Sequence, residues 1–316
     1  MKKLLKVLLV IGIIIVVLII GVIILLTVVS KSQNAPKNYW EDTVTDGAIE
    51  AKYNSLGAYT VVKKTYDAPK DEQDSNSNHF VVWYPEQEGK YPLVVMVNGS
   101  GTPCNKYEAV FEHFASWGYV VVGCDYGTSW DGKHASETLD FALNTEEIVK
   151  MVDMDKIAIG GHSQGGIGTY NAITEYENGK LYKVAFALSP TNNDLALGLQ
   201  WGFKLETDEQ YAFRLEEINI PMMIVAGTGK FDAETVTPLS EMQEMYESLP
   251  CDKIAFRRGD DTDHGNILYE ANGYVIAWLD YYLKGIEANE TAFFGEEAEI
   301  KNNTRYQDFT SKKVEE

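Results

Sequence analysis

Between residues 156 and 166 the chain reads Lys-Ile-Ala-Ile-Gly-Gly-His-Ser-Gln-Gly-Gly, and few folds accommodate that order. A short apolar run, Lys156–Ile159, predicts a strand. It enters Gly161-His162-Ser163-Gln164-Gly165 with only Gly160 between, and an amphipathic stretch, Gly165–Tyr176, follows at once. A serine set between strand and helix in this way occupies a sharp turn, where a side chain two residues to either side would crowd the backbone. The helix points its N-terminus back at the serine, so the backbone amide of Gln164 faces any negative charge that develops there. The pentapeptide alone arises often by chance. The strand before it and the helix after it give it weight.

The remainder of the chain supplies a sheet for that turn. Tyr59–Tyr66 and Phe80–Tyr84 are β-branched and aromatic and predict an opening antiparallel pair. Short, almost wholly apolar runs follow at Leu93–Val97, Tyr119–Gly123, Val184–Leu188, Met222–Ala226 and Ile254–Phe256. Strands apolar on both faces belong inside a parallel sheet covered by helices on both sides. Amphipathic stretches lie between them at Lys106–Trp117, Leu139–Met151, Pro238–Ser248 and Ile267–Leu283. The expected class is therefore α/β: about eight mostly parallel strands with helices on both faces.

A serine nucleophile needs a base and an acid. The chain has five histidines. On a strand-turn-helix serine of this kind the acid and then the histidine follow in sequence, and only His264 lies downstream of Ser163. His162, the serine's neighbour, cannot swing round to take its proton. His264 sits in the polar loop Gly259–Asn266, the place for a general base at the carboxyl edge of a sheet. Asp232, in the Gly-rich loop after Met222–Ala226, is the expected acid, with Glu234 its nearest rival. It would hold the histidine tautomer. Asp260, Asp261 and Asp263 do not have the spacing of a calcium loop and read as a solvated acidic turn. Asn98-Gly99-Ser100-Gly101 follows Leu93–Val97, where a second oxyanion donor is expected. The amide of Ser100 is the first choice and Gly99 the next.

With 47 acidic and 27 basic side chains the net charge is −20, which repels phosphate backbones and argues against nucleic acid as a partner. Three scattered cysteines make neither a disulfide framework nor a zinc site. Residues 7–29 are apolar except for Gly12, Gly21 and Thr27. As a helix they would cross a hydrocarbon core of about 30 Å. Lys2, Lys3 and Lys6 precede them and only Lys31 follows closely, which predicts a cytoplasmic N-terminus and an extracytoplasmic domain. The competing reading is a cleaved signal peptide and secretion. The expected organisation is a cytoplasmic stub and signal anchor over 1–30, a polar linker over 31–47 and the α/β domain over 48–316.

The set Asn98-Gly-Ser-Gly101, Gly161-His-Ser-Gln-Gly165, Asp232 and His264-Gly resembles the dienelactone-hydrolase-like and cutinase-like branch of the α/β-hydrolases. That branch includes chlorophyllase-like esterases and bacterial polyester hydrolases. The resemblance covers roughly Tyr59 to Leu283, and only the turn around Ser163 is highly specific. It implies a hydrolase with an open cleft, without a large lid, metal or organic cofactor, acting on a small-molecule, lipid or polymer ester. Two departures stand out: Gln164 where polyester hydrolases usually carry methionine, and Ser100 where they carry an aromatic. Both make the mouth of the site more polar, so plastic-degrading activity does not follow. Trp130, Trp201, Phe203 and Tyr211 are candidate pocket walls. Two rival readings keep the scaffold: an extracytoplasmic acyltransferase using the same residues, and a non-catalytic binding module.

Overall fold

The apolar runs form the middle of one nine-stranded sheet in the order β1-β2-β4-β3-β5-β6-β7-β8-β9. The computed structural model describes residues 35–68, 79–100, 102–125, 130–202 and 212–314. In chain order the elements are α1 (Tyr39–Asp42), α2 (Ala48–Asn54), β1 (Val61–Asp67), β2 (His79–Pro85), β3 (Tyr91–Val97), α3 (Glu108–Ser116) and β4 (Val120–Cys124). Then come α4 (Lys133–Asn144), α5 (Glu146–Val149), β5 (Val152–His162), α6 (Gln164–Thr174), β6 (Val184–Leu188) and α7 (Asn193–Gly202). The chain continues through β7 (Met222–Gly227), α8 (Leu239–Ser248), β8 (Lys253–Arg258), α9 (Ile267–Glu270), α10 (Asn272–Lys284), α11 (Glu299–Asn302) and β9 (Tyr306–Lys312). Strands β3 to β8 pair in parallel, while β1, β2 and β9 are antiparallel to their neighbours.

Alternate residues of the central strands feed two separate cores, as the period of two demands. Val94, Met96 and Val121 pack with Phe111 of α3 and Trp278 of α10. Leu93, Val95 and Val122 pack with Leu139 of α4, Tyr170 of α6 and Met245 of α8. Helices therefore cover both faces, and β3, β4, β6 and β7 are buried from end to end. The order reverses around β3: its connection leads to β4 on one side, whereas β5 leads to β6 on the other. The loops leaving β3 and β5 diverge there, at the carboxyl edge where open α/β sheets generally bind their ligands.

Two features go beyond the sequence reading. The sheet has a ninth strand: Tyr306–Lys312 carries few apolar residues because it is a partly exposed edge, tied to β8 by the pairing of Arg257 with Asp308 at 2.6 Å. Residues 35–47, read as linker, belong to the compact unit that begins at Ala35. Tyr39 is buried, accepts a hydrogen bond from Asn272 at 2.6 Å and donates to His113 Nδ1 at 2.7 Å. The carbonyl of Val44 accepts from Arg258 at 2.7 Å. That guanidinium also lies 3.5 Å from Glu50, 3.5 Å from Glu270 and 3.0 Å from the Tyr306 hydroxyl. Burial pushes the Glu50 carboxyl up to about 7, although Arg258 and hydrogen bonds from Thr45, Tyr306 and Asn303 favour its charged form. Cys104, Cys124 and Cys251 are all free and buried. The expected membrane anchor, residues 1–30, lies outside the described residues. Among the described residues no helix is long and apolar enough to cross a membrane.

Candidate active site

Ser163 stands between the last residue of β5 and the first of α6 with φ 58° and ψ −122°, a conformation that side-chain-bearing residues seldom adopt. The neighbouring backbone enforces it. The Ser163 N–H donates to Leu188 O at 2.9 Å, and the Ser163 carbonyl accepts from Gly166 N–H at 2.9 Å. A Cβ on Gly161 would lie 2.0 Å from Gly165 O, and one on Gly165 would lie 2.2 Å from Val97 O. Both approaches are main chain against main chain, so neither position admits a side chain. The strain is held by β5 on one side and by α6 on the other.

Asp232 follows β7 and is fully buried. Its Oδ1 accepts from His264 Nδ1–H at 2.5 Å. Its Oδ2 accepts from the Ser189 hydroxyl at 2.5 Å and from Gly227 N–H at 2.9 Å. Burial on its own would raise the carboxyl, yet the His264 imidazole, the Ser189 hydroxyl and the Gly227 amide together hold it below the ordinary carboxylate range. Glu234, the rival acid, is exposed and lies 3.8 Å from Lys230. Ser189 has no sequence signal of its own. It follows β6 at the same sheet edge, at φ 41°, and only the fold brings it to Asp232.

His264 lies in the loop after β8. Thr262 shapes that loop: its carbonyl accepts from Gly229 N–H at 2.8 Å, and its hydroxyl lies 2.9 Å from Glu270. Asp263 accepts from the His264 N–H at 2.8 Å, and Asp260 pairs with Arg305 at 2.9 Å. Asp260 and Asp263 thus have separate partners. Among the described residues no cluster of three could hold a metal ion.

The loop after β3 carries the expected oxyanion donors. Gly99, the second choice, has its N–H committed to the Tyr107 hydroxyl at 2.9 Å. Ser100 follows it, exposed at the turn, and Asn98 anchors the loop by donating to Cys124 O. Gln164 opens α6, where the first amides of a helix have no acceptor within the helix itself.

Two aromatic rings border His264. His162 is buried, with ring centroids 4.6 Å apart. Phe231, which the sequence did not single out, is 53% exposed and meets the imidazole edge-on at 5.2 Å. Trp130, a candidate wall, is instead buried with Ile167 and Ala196, and its carbonyl accepts from Asn171 at 2.7 Å. Phe203, Tyr211 and the Trp201 side chain lie outside the described residues.

A family model described as chlorophyllase matches residues 50–240, which include Ser163 and Asp232 but end before His264. The chain is 24% identical over 214 residues to Cutinase est1 of Thermobifida alba, covering 64% of each. It is 25% identical over 215 residues to Cutinase 2 of Thermobifida cellulosilytica, covering 64% of this chain and 72% of that one. The bis(hydroxyethyl) terephthalate hydrolase of Streptomyces coelicolor is 24% identical over 177 residues, 54% of this chain and 49% of that protein. The chain thus spans less than two thirds of the length of the first and third of these relatives.

Proposed function

We propose, from the premise that this chain belongs to the chlorophyllase family of α/β-hydrolases, that it is a serine-dependent carboxylic-ester hydrolase. Ser163 Oγ attacks the ester carbonyl while His264 Nε2 takes its proton. Asp232 keeps the remaining ring proton on Nδ1 and stabilises the imidazolium. The amides of Gln164 and Ser100 receive the oxyanion. Collapse expels the alcohol, which leaves with the proton from His264, and water then resolves the acyl-enzyme by the same relay. The carrying observation is the 2.5 Å contact between His264 Nδ1 and a buried carboxylate, at the sheet edge where Ser163 is held at positive φ. An alkyl fluorophosphonate is expected to label one residue, Ser163, in step with loss of p-nitrophenyl butyrate hydrolysis. Label on another residue, or full labelling with activity intact, defeats the assignment.

The domain organisation follows the same reading, with an N-terminal anchor over 1–30 and the hydrolase domain outside the cytoplasm. Its support is the apolar stretch 7–29 with lysines before it. The full-length protein is expected to stay with the membrane through alkaline carbonate washing. A soluble product beginning near Lys31 would replace the anchor by a cleaved signal.

A further inference from the structure

His162 takes no part in the chemistry proposed above, yet it bridges the loops that carry that chemistry. It is the last residue of β5, and its Nε2–H donates to the backbone carbonyl of His264 at 2.8 Å. A carbonyl only accepts, so the proton of a neutral His162 is on Nε2 and its Nδ1 carries a lone pair. On the other side, a Cβ built on Gly99 would be 3.4 Å from that Nδ1, and the Tyr107 ring that holds Gly99 is centred 6.3 Å away. His264 is therefore gripped at three points: Nδ1 by Asp232, N–H by Asp263 and carbonyl by His162.

We propose that His162 is a positioning residue: a buried Nε2–H donor that fixes the His264 backbone and so aims the base at Ser163. This rests on the catalytic reading of Ser163 and His264 given above. The donor is tied to the nucleophile's own strand, so any movement of Ser163 carries the base loop with it. The Asp232 contact holds the ring and the Asp263 contact is local to the loop, whereas the His162 contact ties the backbone at His264 itself to β5. Burial, reinforced by His264 alongside, pushes the His162 imidazole down to about 3. The ring thus remains uncharged when His264 becomes imidazolium. Asp232 acts in the opposite direction; Asp263 and Tyr107 lie beside the pair, and Asp260, Asp261, Lys230 and Glu234 are the charged groups farther along the same two loops.

The test compares two unbranched replacements in the full chain. Glutamine places an amide N–H at about the reach of Nε2, whereas methionine has similar length and no donor. His162→Gln is expected to keep kcat within about fivefold of the parent. His162→Met is expected to lose kcat by about 10- to 100-fold with KM changed less than about twofold, the scale of a reacting group displaced by about an ångström. Equal kcat in the two variants overturns the proposal. If His162→Met melts well below His162→Gln, His162→Asn takes its place, since its shorter amide cannot reach the carbonyl. Equal kcat for Asn and Gln then overturns the proposal as well. Failure of the catalytic reading is separately visible: the parent itself would not be labelled at Ser163 by the fluorophosphonate.

Discussion

Exchanging Ser163 for alanine is expected to lower kcat for p-nitrophenyl butyrate by about four to six orders of magnitude, leaving only the catalysis that an oxyanion pocket supplies to water. The loss falls on kcat because Oγ forms a bond only on the way to the acyl-enzyme, while KM reflects contacts that alanine leaves in place. The variant also separates chemistry from folding. Alanine at φ 58° bears the same Cβ strain as serine, and the local hydrogen bonds of residue 163 to Leu188 and Gly166 are made by backbone atoms. The thermal midpoint is therefore expected to stay within about 2 °C of the parent, the shift that about 1 kcal/mol produces in a domain of this size. Hydrolysis within tenfold of the parent, from protein freed of contaminating esterase, would remove Ser163 from the mechanism.

What the sequence revealed tracks how local each device is. The turn at Ser163 was legible because strand, glycines and helix lie within about a dozen residues, and the same crowding that fixes Gly161 and Gly165 is visible in their order. The central strands were legible because burial on both faces leaves continuous apolar runs. Val184–Leu188 has the bounds expected of it. His264 and Asp232 were reached by elimination and by loop position, and the fold brings their side chains together. Other parts had no local signature. Residues 35–47 look like linker because they are polar, but their backbone and side chains find partners in Arg258, His113 and Asn272, far along the chain. The edge strand β9 lacks an apolar face, and its pairing depends on a strand about fifty residues earlier. Ser189 is ordinary in sequence and becomes part of the site only when β6 is laid beside β7. Phe231 escaped notice because exposure cannot be read from an isolated aromatic.

Asp232→Asn is expected to be nearly as damaging as loss of the nucleophile's hydroxyl, at about 10⁴-fold in kcat, and the cause is the direction of three hydrogen bonds. The carboxylate accepts all three: one from His264 Nδ1–H at Oδ1, and two from Ser189 and Gly227 at Oδ2. An asparagine has one oxygen to offer. If its NH₂ faced Gly227 N–H, two donors would meet in a fully buried position, and the backbone amide cannot rotate away. The Ser189 hydroxyl can turn to accept, but that relieves only one of the two contacts. The oxygen therefore takes the Gly227 side and the NH₂ faces His264, which must present a lone pair at Nδ1. Its proton then resides on Nε2, the nitrogen that has to receive the proton of Ser163, and the base is blocked by its own tautomer. KM is expected to change little, because Asp232 has no exposed surface with which to meet substrate. Glu234→Gln is the matched control: that side chain is exposed beside Lys230, and the variant is expected to keep parent activity. The opposite pair of results, with Asp232→Asn active and Glu234→Gln inactive, would transfer the acid's role to Glu234 and require the loop after β7 to refold before it could reach His264.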